Sequence, residues 1–384
     1  MPNLTASFVP RVLEIGPASY MHAAFPETTD FYSTWPDETQ TDPAHGRHIV
    51  TLANLPRLAR RLADPTYDLV VVHALPFAPW TSRGLGRSLF RRSVLRSASV
   101  FHSLGPQLLR GAVAAPIAVL DLDDPSVIDR ANAFLLDRAT IYFKRELPPD
   151  HWNLFAGTFH WRVPTPRFRR VPLYRTRIAK VLPISLGIPS GVVEPDLFQQ
   201  AAARNKTTDV FFAGRVYASS TVRERGMKEL MALREEGYVI DVPDAPVSRE
   251  EYLERCARAW IVWSPSGYGW QCFRTYEAAL CGSVPLANRS TIEQYRGLID
   301  GEHALYYDVE PERLGRAVRA ALQDRERLAT IAAAGRAHVL AYHTPAALGR
   351  YVAATTLERS SKADATDTSG VEIRPGTMRS GRFG

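Results

Sequence analysis

The sequence predicts an α/β protein made of two doubly wound, Rossmann-like domains facing each other across a cleft. Three observations predict it. Short apolar runs rich in β-branched residues, such as 69–72 (LVVV), 117–120 (IAVL) and 259–263 (AWIVW), read as strands covered on both faces of a parallel sheet. Helical stretches separate them, the alternation expected of crossover connections. A chain of 384 residues, 45% hydrophobic, suffices for two cores of ordinary size.

In chain order, residues 11–15 (RVLEI) form a first strand, and Gly16 follows as the candidate for close approach of backbone to a ligand, although no GxGxxG pattern is present. Residues 49–62 read as a helix. The strand 69–72 ends at His73, and the strand 117–120 ends in Asp121-Leu122-Asp123-Asp124-Pro125. Asp124 ahead of Pro125 suits an N-cap for a helix over 126–138. A strand over 140–143 delivers Lys144 and Arg145, which either meet phosphate or an acidic acceptor or pair with Glu146. Ligands of such sheets bind beyond the carboxyl ends of the strands. His73 and the aspartates at 121, 123 and 124 are therefore candidates for accepting a proton or fixing hydroxyls.

Prolines and Gly187 in 183–189 (PISLGIP) interrupt the pattern and set domains of 1–187 and 188–345. The second domain opens with a strand over 208–212, then Ala213-Gly214-Arg215 and the basic run 223–228 (RERGMK). A strand over 238–242, a helix over 249–258 and the strand 259–263 lead into Ser264-Pro265-Ser266-Gly267-Tyr268-Gly269. Gly267 and Gly269 allow a sharp turn, and a helix beginning near Gln271 aims its positive end at whatever anion lies there. Ser266, Gly267, Tyr268, Gly269 and Gln271 are thus phosphate-contact candidates. On this helix Arg274, Glu277 and Cys281 share one face, and Gly282 closes it. The plain alternative is an i,i+3 surface ion pair between Arg274 and Glu277. Strands over 284–287 and 304–307 and helices over 311–322 and 325–342 complete the domain. A final helix over 346–358 is placed to cross back over the first domain, and 359–384 read by composition as a disordered tail.

Residues 276–286 (YEAALCGSVPL) resemble the "EAMACGxPV" signature of group 1 glycosyltransferases with the GT-B fold, and Arg274 with Glu277 resembles the "RxxEA" form of spore-maturation-type and exostosin-like members. The resemblance implies that Glu277 binds donor hydroxyls and acts at the catalytic centre. It also implies that Arg215 faces the donor diphosphate, with Arg225 the better match and Lys228 the second for the family's lysine. YDLVVVH resembles the family's "DVVHAH", which places His73 like the first-domain histidine near the donor or acceptor site; Asp121, by its strand-end position, is the other catalytic candidate of the first domain. The family pattern carries a second glutamate eight positions before Glu277, where this chain has Gly269; Ser266 or Gln271 are the residues that could replace it.

The activity implied is transfer of a sugar from a nucleotide-sugar donor to a hydroxyl acceptor (glycan, lipid-linked or small molecule). It would retain configuration and use no metal or other cofactor. A sugar-nucleotide epimerase of the same fold and a non-catalytic nucleotide-sugar-binding relative are the alternatives.

The net charge of +7 comes with no recognised nucleic-acid motif, which argues against nucleic-acid binding. Arg83, Arg87, Arg91, Arg92 and Arg96 interleave with Leu85, Leu89, Phe90, Val94 and Leu95, a pattern suited to peripheral membrane contact or to a solvated helix face. No apolar stretch reads as a membrane span or signal segment, so the expected location is the cytoplasm, with contact at the inner face of the membrane. Cys256, Cys272 and Cys281, an odd number without metal-ligand spacing, fit a reducing compartment.

Overall fold

The computed structural model describes residues 8–35, 42–75, 104–160, 163–168, 174–188, 198–199, 204–216 and 220–368. The basic segment from Arg83 to Arg96 lies outside the described residues. Two parallel sheets with helices on their faces make up the molecule, the α/β architecture expected.

The first sheet holds β1 (Val12–Gly16), β2 (Thr29–Ser33), β3 (Arg47–Ile49), β4 (Leu69–His73), β5 (Ile117–Asp121) and β6 (Ile141–Lys144). A two-stranded antiparallel excursion, β7 (Ala156–His160) with β8 (Val163–Phe168), precedes β9 (Val181–Pro183), which rejoins the sheet. The order is β3-β2-β1-β4-β5-β6-β9, parallel throughout. Side chains alternate between faces as a strand's period of two requires. Leu13, Ile15, Val70, Val72 and Val119 enter one core, and Val12, Leu69, Val71, Ala118 and Leu120 the other.

The second sheet contains β10 (Thr208–Phe211), β11 (Ile240–Asp241), β12 (Ala259–Trp263), β13 (Val284–Asn288) and β14 (Leu305–Tyr307), in the order β11-β10-β12-β13-β14, again parallel. Phe211 and Val262 face one core, Val210, Phe212, Ile261 and Trp263 the other.

The helices, in order, are α1 (Met21–Ala24), α2 (Leu55–Leu62), α3 (Ala133–Arg138), α4 (Tyr174–Ile178), α5 (Thr221–Glu235), α6 (Arg249–Arg258), α7 (Phe273–Leu280), α8 (Arg313–Leu322), α9 (Arg325–Tyr342) and α10 (Pro345–Thr368). Late as it is in the chain, α10 packs on the first sheet, where Leu348, Val352 and Ala353 join Val12, Tyr20, Met21 and Leu69. Gly349 permits this approach, since a Cβ there would meet the Tyr20 carbonyl oxygen at 2.5 Å. None of the helices among the described residues is long and apolar enough to cross a membrane.

Several local expectations are corrected. The helix read over 49–62 begins only at Leu55, because residue 49 belongs to edge strand β3. β2 and most of β3 lie in a polar stretch for which the sequence predicts no strand. The helix read over 126–138 is reduced to α3 after a 3-10 turn capped by Asp129, whose Oδ1 accepts from the Ala131 amide at 2.7 Å. Asp124 is no N-cap; its carboxylate accepts from Arg145 Nη2 at 2.6 Å. α7 starts at Phe273 rather than near Gln271. α10 continues to Thr368, ten residues into the stretch assigned by composition to a tail, and an i,i+4 ion pair of Glu358 with Lys362 lies on that extension.

Candidate active site

On the first sheet the carboxyl ends of β1, β4, β5 and β6 converge. The His73 imidazole lies directly on Gly16, where a Cβ would come within 2.7 Å of its Nε2. This is a close approach at Gly16, but the group that approaches is a side chain of the protein. His73 is 6% exposed; its Nε2 sits 3.5 Å from Glu14 Oε1, within ion-pair reach, yet makes no hydrogen bond. Glu14, fully buried, instead accepts from Ser19 Oγ and from the amides of Tyr20 (2.9 Å) and Met21 (3.1 Å), fixing the turn after β1.

Asp121, at the end of β5, is 2% exposed and engaged on both oxygens. Oδ1 accepts from Lys144 Nζ at 2.9 Å and Oδ2 from the Tyr142 hydroxyl at 2.7 Å. The geometry makes Asp121 an internal acceptor that neutralises Lys144, which is itself fully buried. Its neighbour Asp123 is more accessible. Burial first, and the Asp121 charge second, push its carboxyl up to about 7, against the opposing pull of Lys144 and Arg145. A carboxyl held there can exchange a proton near neutral pH.

On the second sheet, the turn Ala213-Gly214-Arg215 after β10 carries an exposed Arg215. Arg274 lies beneath that turn. Its Nε and Nη2 both donate to the Ala213 carbonyl, at 3.1 and 2.7 Å, and its guanidinium stands 5.0 Å over the Phe212 ring. Gly214 is needed above it, since a Cβ would meet Nη2 at 2.5 Å. Arg274 therefore does not pair with Glu277. Glu277, 5% exposed, accepts from Arg249 Nη1 of α6 at 2.7 Å, which brings a cation to the carboxylate from a different helix.

Arg223 in the first turn of α5 bridges two loops. Nη1 donates to the Arg215 carbonyl at 2.8 Å and Nε to the Ser266 carbonyl at 3.1 Å. Arg225 and Lys228 lie on the exposed face of α5, Lys228 in an i,i+4 pair with Glu224 at 3.3 Å. The helical phase explains the difference. Arg223 shares the inward face with Gly226, which packs on Trp263, and with Leu230, so its stem is buried and its head emerges between the loops.

The loop after β12 is spanned by its own bonds. The Ser266 amide donates to Asn288 Oδ1 at 2.8 Å and the Gly267 amide to the Gly269 carbonyl at 3.0 Å. Tyr268 is 49% exposed. The amides of Trp270 and Gln271, expected to hold phosphate, donate across the cleft to Glu146, at 2.9 and 3.1 Å. The Gln271 side chain completes the junction: Nε2 donates to the Arg145 carbonyl at 2.8 Å, and Oε1 accepts from the Leu186 amide and the Tyr276 hydroxyl, each at 2.8 Å. The contacts made by Glu146, Arg223 and Arg249 were not reached from sequence. The one signal available was an arginine on the apolar face of α5.

Residues 198–354 match the family model described as glycosyl transferase-like. No curated protein matches the chain. Among solved structures, an alpha-glucosyltransferase in complex with UDP and a mismatched 13-mer DNA is 12% identical; the match covers 91% of this chain and all of that one, with a TM-score of 0.53. The trehalose 6-phosphate synthase of Burkholderia multivorans is also 12% identical, with 95% and 100% covered and a TM-score of 0.50. Anabaena HepE in complex with UDP and glucose is 11% identical, with 90% and 99% covered and a TM-score of 0.47. The likeness to these structures is one of architecture, the GT-B arrangement of two parallel α/β domains. The family-model match lies within residues 198–354, which hold the second sheet and its helices.

Proposed function

We propose that the protein transfers a glycosyl group from a nucleoside-diphosphate sugar to a hydroxyl acceptor, with Glu277, Arg215 and Arg223 at the donor and His73 and Asp123 on the acceptor side. The observation that carries this reading is the tying of three donor-side elements into one unit. Arg223 joins the Arg215 turn to the Ser266 loop, and Arg274, from the helix that bears Glu277, holds the same turn from below. In the reaction the bond from the anomeric carbon to the diphosphate oxygen breaks, the acceptor oxygen bonds to that carbon, and the acceptor proton is released. Negative charge gathers on the departing diphosphate, and fixed guanidinium groups beside it lower the barrier. Asp123, with a proton affinity near neutrality, is suited to take the acceptor proton. Glu277, held by Arg249, is suited to accept hydrogen bonds from donor hydroxyls.

Transfer is proposed to retain configuration and to need no metal, so chelator should leave the rate unchanged. The test is a thermal-shift screen with UDP-, GDP-, ADP- and TDP-sugars, followed by donor turnover. One nucleotide family should raise the unfolding temperature. Glu277→Gln should lower turnover by about a hundredfold, the order of loss seen when an aligned hydrogen-bonding group is removed from an active site. A protein stabilised by none of the four, or one whose turnover Glu277→Gln leaves unchanged, would refute the reading.

A further inference from the structure

The Glu146 carboxylate is 1% exposed and belongs to the first domain, yet two of its three hydrogen bonds come from the second. Oε2 accepts from the Trp270 amide at 2.9 Å. Oε1 accepts from the Gln271 amide at 3.1 Å and from Arg145 Nε at 3.0 Å. Arg145 is fixed in turn by Asp124 and by the Leu122 carbonyl, at 2.6 and 2.7 Å, so neither side chain is free to swing aside. Facing them is Gly269. Its backbone has no left-handed torsion, yet a Cβ there would lie 2.7 Å from Glu146 Oε1. The same Cβ would come closer still to Arg145 Nη2, so the glycine is required by the Arg145–Glu146 ion pair that stands opposite it.

We propose that Glu146 is a positioning residue for the donor loop, supplying across the domain interface the carboxylate that the loop lacks at Gly269. A buried anion on two adjacent amides is a strong restraint, because each bond is charge-assisted and the site is shielded from water. It fixes the conformation of residues 266–271 and, through the Arg223 bond to the Ser266 carbonyl, the setting of the Arg215 turn. The loop then has its donor-binding shape only while the two domains are in contact, which couples donor recognition to domain closure. The proposal rests on the reading of this cleft as a donor site, and its test separates the two.

The full-length protein is compared with Glu146→Ala and Glu146→Gln. The first measurement is amide hydrogen exchange over residues 268–273 without ligand. Glu146→Ala should speed exchange at Trp270 and Gln271 by about tenfold or more, the change implied by losing charge-assisted bonds. Glu146→Gln, which keeps one acceptor oxygen in place, should fall between. The second is affinity for UDP, GDP, ADP and TDP. Whichever nucleotide binds the wild type should bind Glu146→Ala more weakly, with partial rescue by Glu146→Gln. Unchanged exchange at the two amides would overturn the proposal. So would tighter nucleotide binding by Glu146→Ala, since Glu146 would then be a competitor for the amides rather than their support. Should the wild type bind none of the four, the donor-site reading fails and hydrogen exchange alone decides the role of Glu146.

Discussion

Replacing Arg274 with alanine tests whether this arginine contacts ligand or supports the turn that does. Its guanidinium makes two bonds to one half-buried carbonyl, that of Ala213, and stacks over Phe212. A hydrogen bond from a charged donor contributes about 1.5–3 kcal/mol, and a partly desolvated cation over an aromatic ring about 0.5–2 kcal/mol. Loss of both, with the Ala213 carbonyl left unsatisfied, should cost about 3 kcal/mol in the ligand-free protein. For a domain of this size that corresponds to a fall of about 6–12 °C in Tm. Arg274→Lys keeps a charge but not the two-pronged fork, and should fall between. Calorimetry without nucleotide reads the effect directly. A ligand-free Arg274→Ala whose transition matches the wild type, with the loss confined to nucleotide binding, would refute the reasoning and return Arg274 to direct donor contact.

Two further outcomes follow from burial. Because the Asp123 carboxyl is held up to about 7 by burial and the Asp121 charge, its neutral form is the one favoured in the folded state. Its contribution is fully present below its unfolded value of about 3.9 and is lost as pH rises through about 7. Asp123→Asn escapes that loss, so its Tm should gain on the wild type steadily from pH 4 to pH 8, and parallel Tm profiles would defeat the assignment. Leu348, fully buried where α10 meets the first sheet, should cost about 2–5 kcal/mol on truncation to alanine. Denaturant unfolding measures it, and a loss below about 1 kcal/mol would mean that the helix is only loosely seated.

The central strands were legible because LVVV, IAVL and AWIVW have no other environment in which to bury so much branched apolar surface. β2 and β3 were not. TDFYS and RHI carry polar residues that strands near the sheet edge tolerate, and the pairing of β2 with β1 and of β3 with β2 is set by neighbours rather than by pattern. In the site, Glu277 and Arg215 stood out through local motif. Glu146 could not, because its partners lie 124 and 125 residues away and are backbone amides, which leave no mark in composition. The same holds for the Arg249 bond to Glu277: an i,i+3 neighbour was the obvious partner on one helix, and the actual partner comes from another. Nor does strand position alone say which carboxylate of 121–124 meets Lys144; in the structure it is Asp121.

The seating of α10 on the first sheet bears on how the molecule is made. Translation delivers β1 near the start and Leu348, Val352 and Ala353 some 330 residues later, yet these belong to one core. While the chain is on the ribosome, the part of this face that α10 covers, beyond what Tyr20 and Met21 shield, stays open, because residues 345–368 follow the whole second sheet in sequence. A nascent chain of this protein therefore carries a long-lived apolar surface, a natural client for a chaperone.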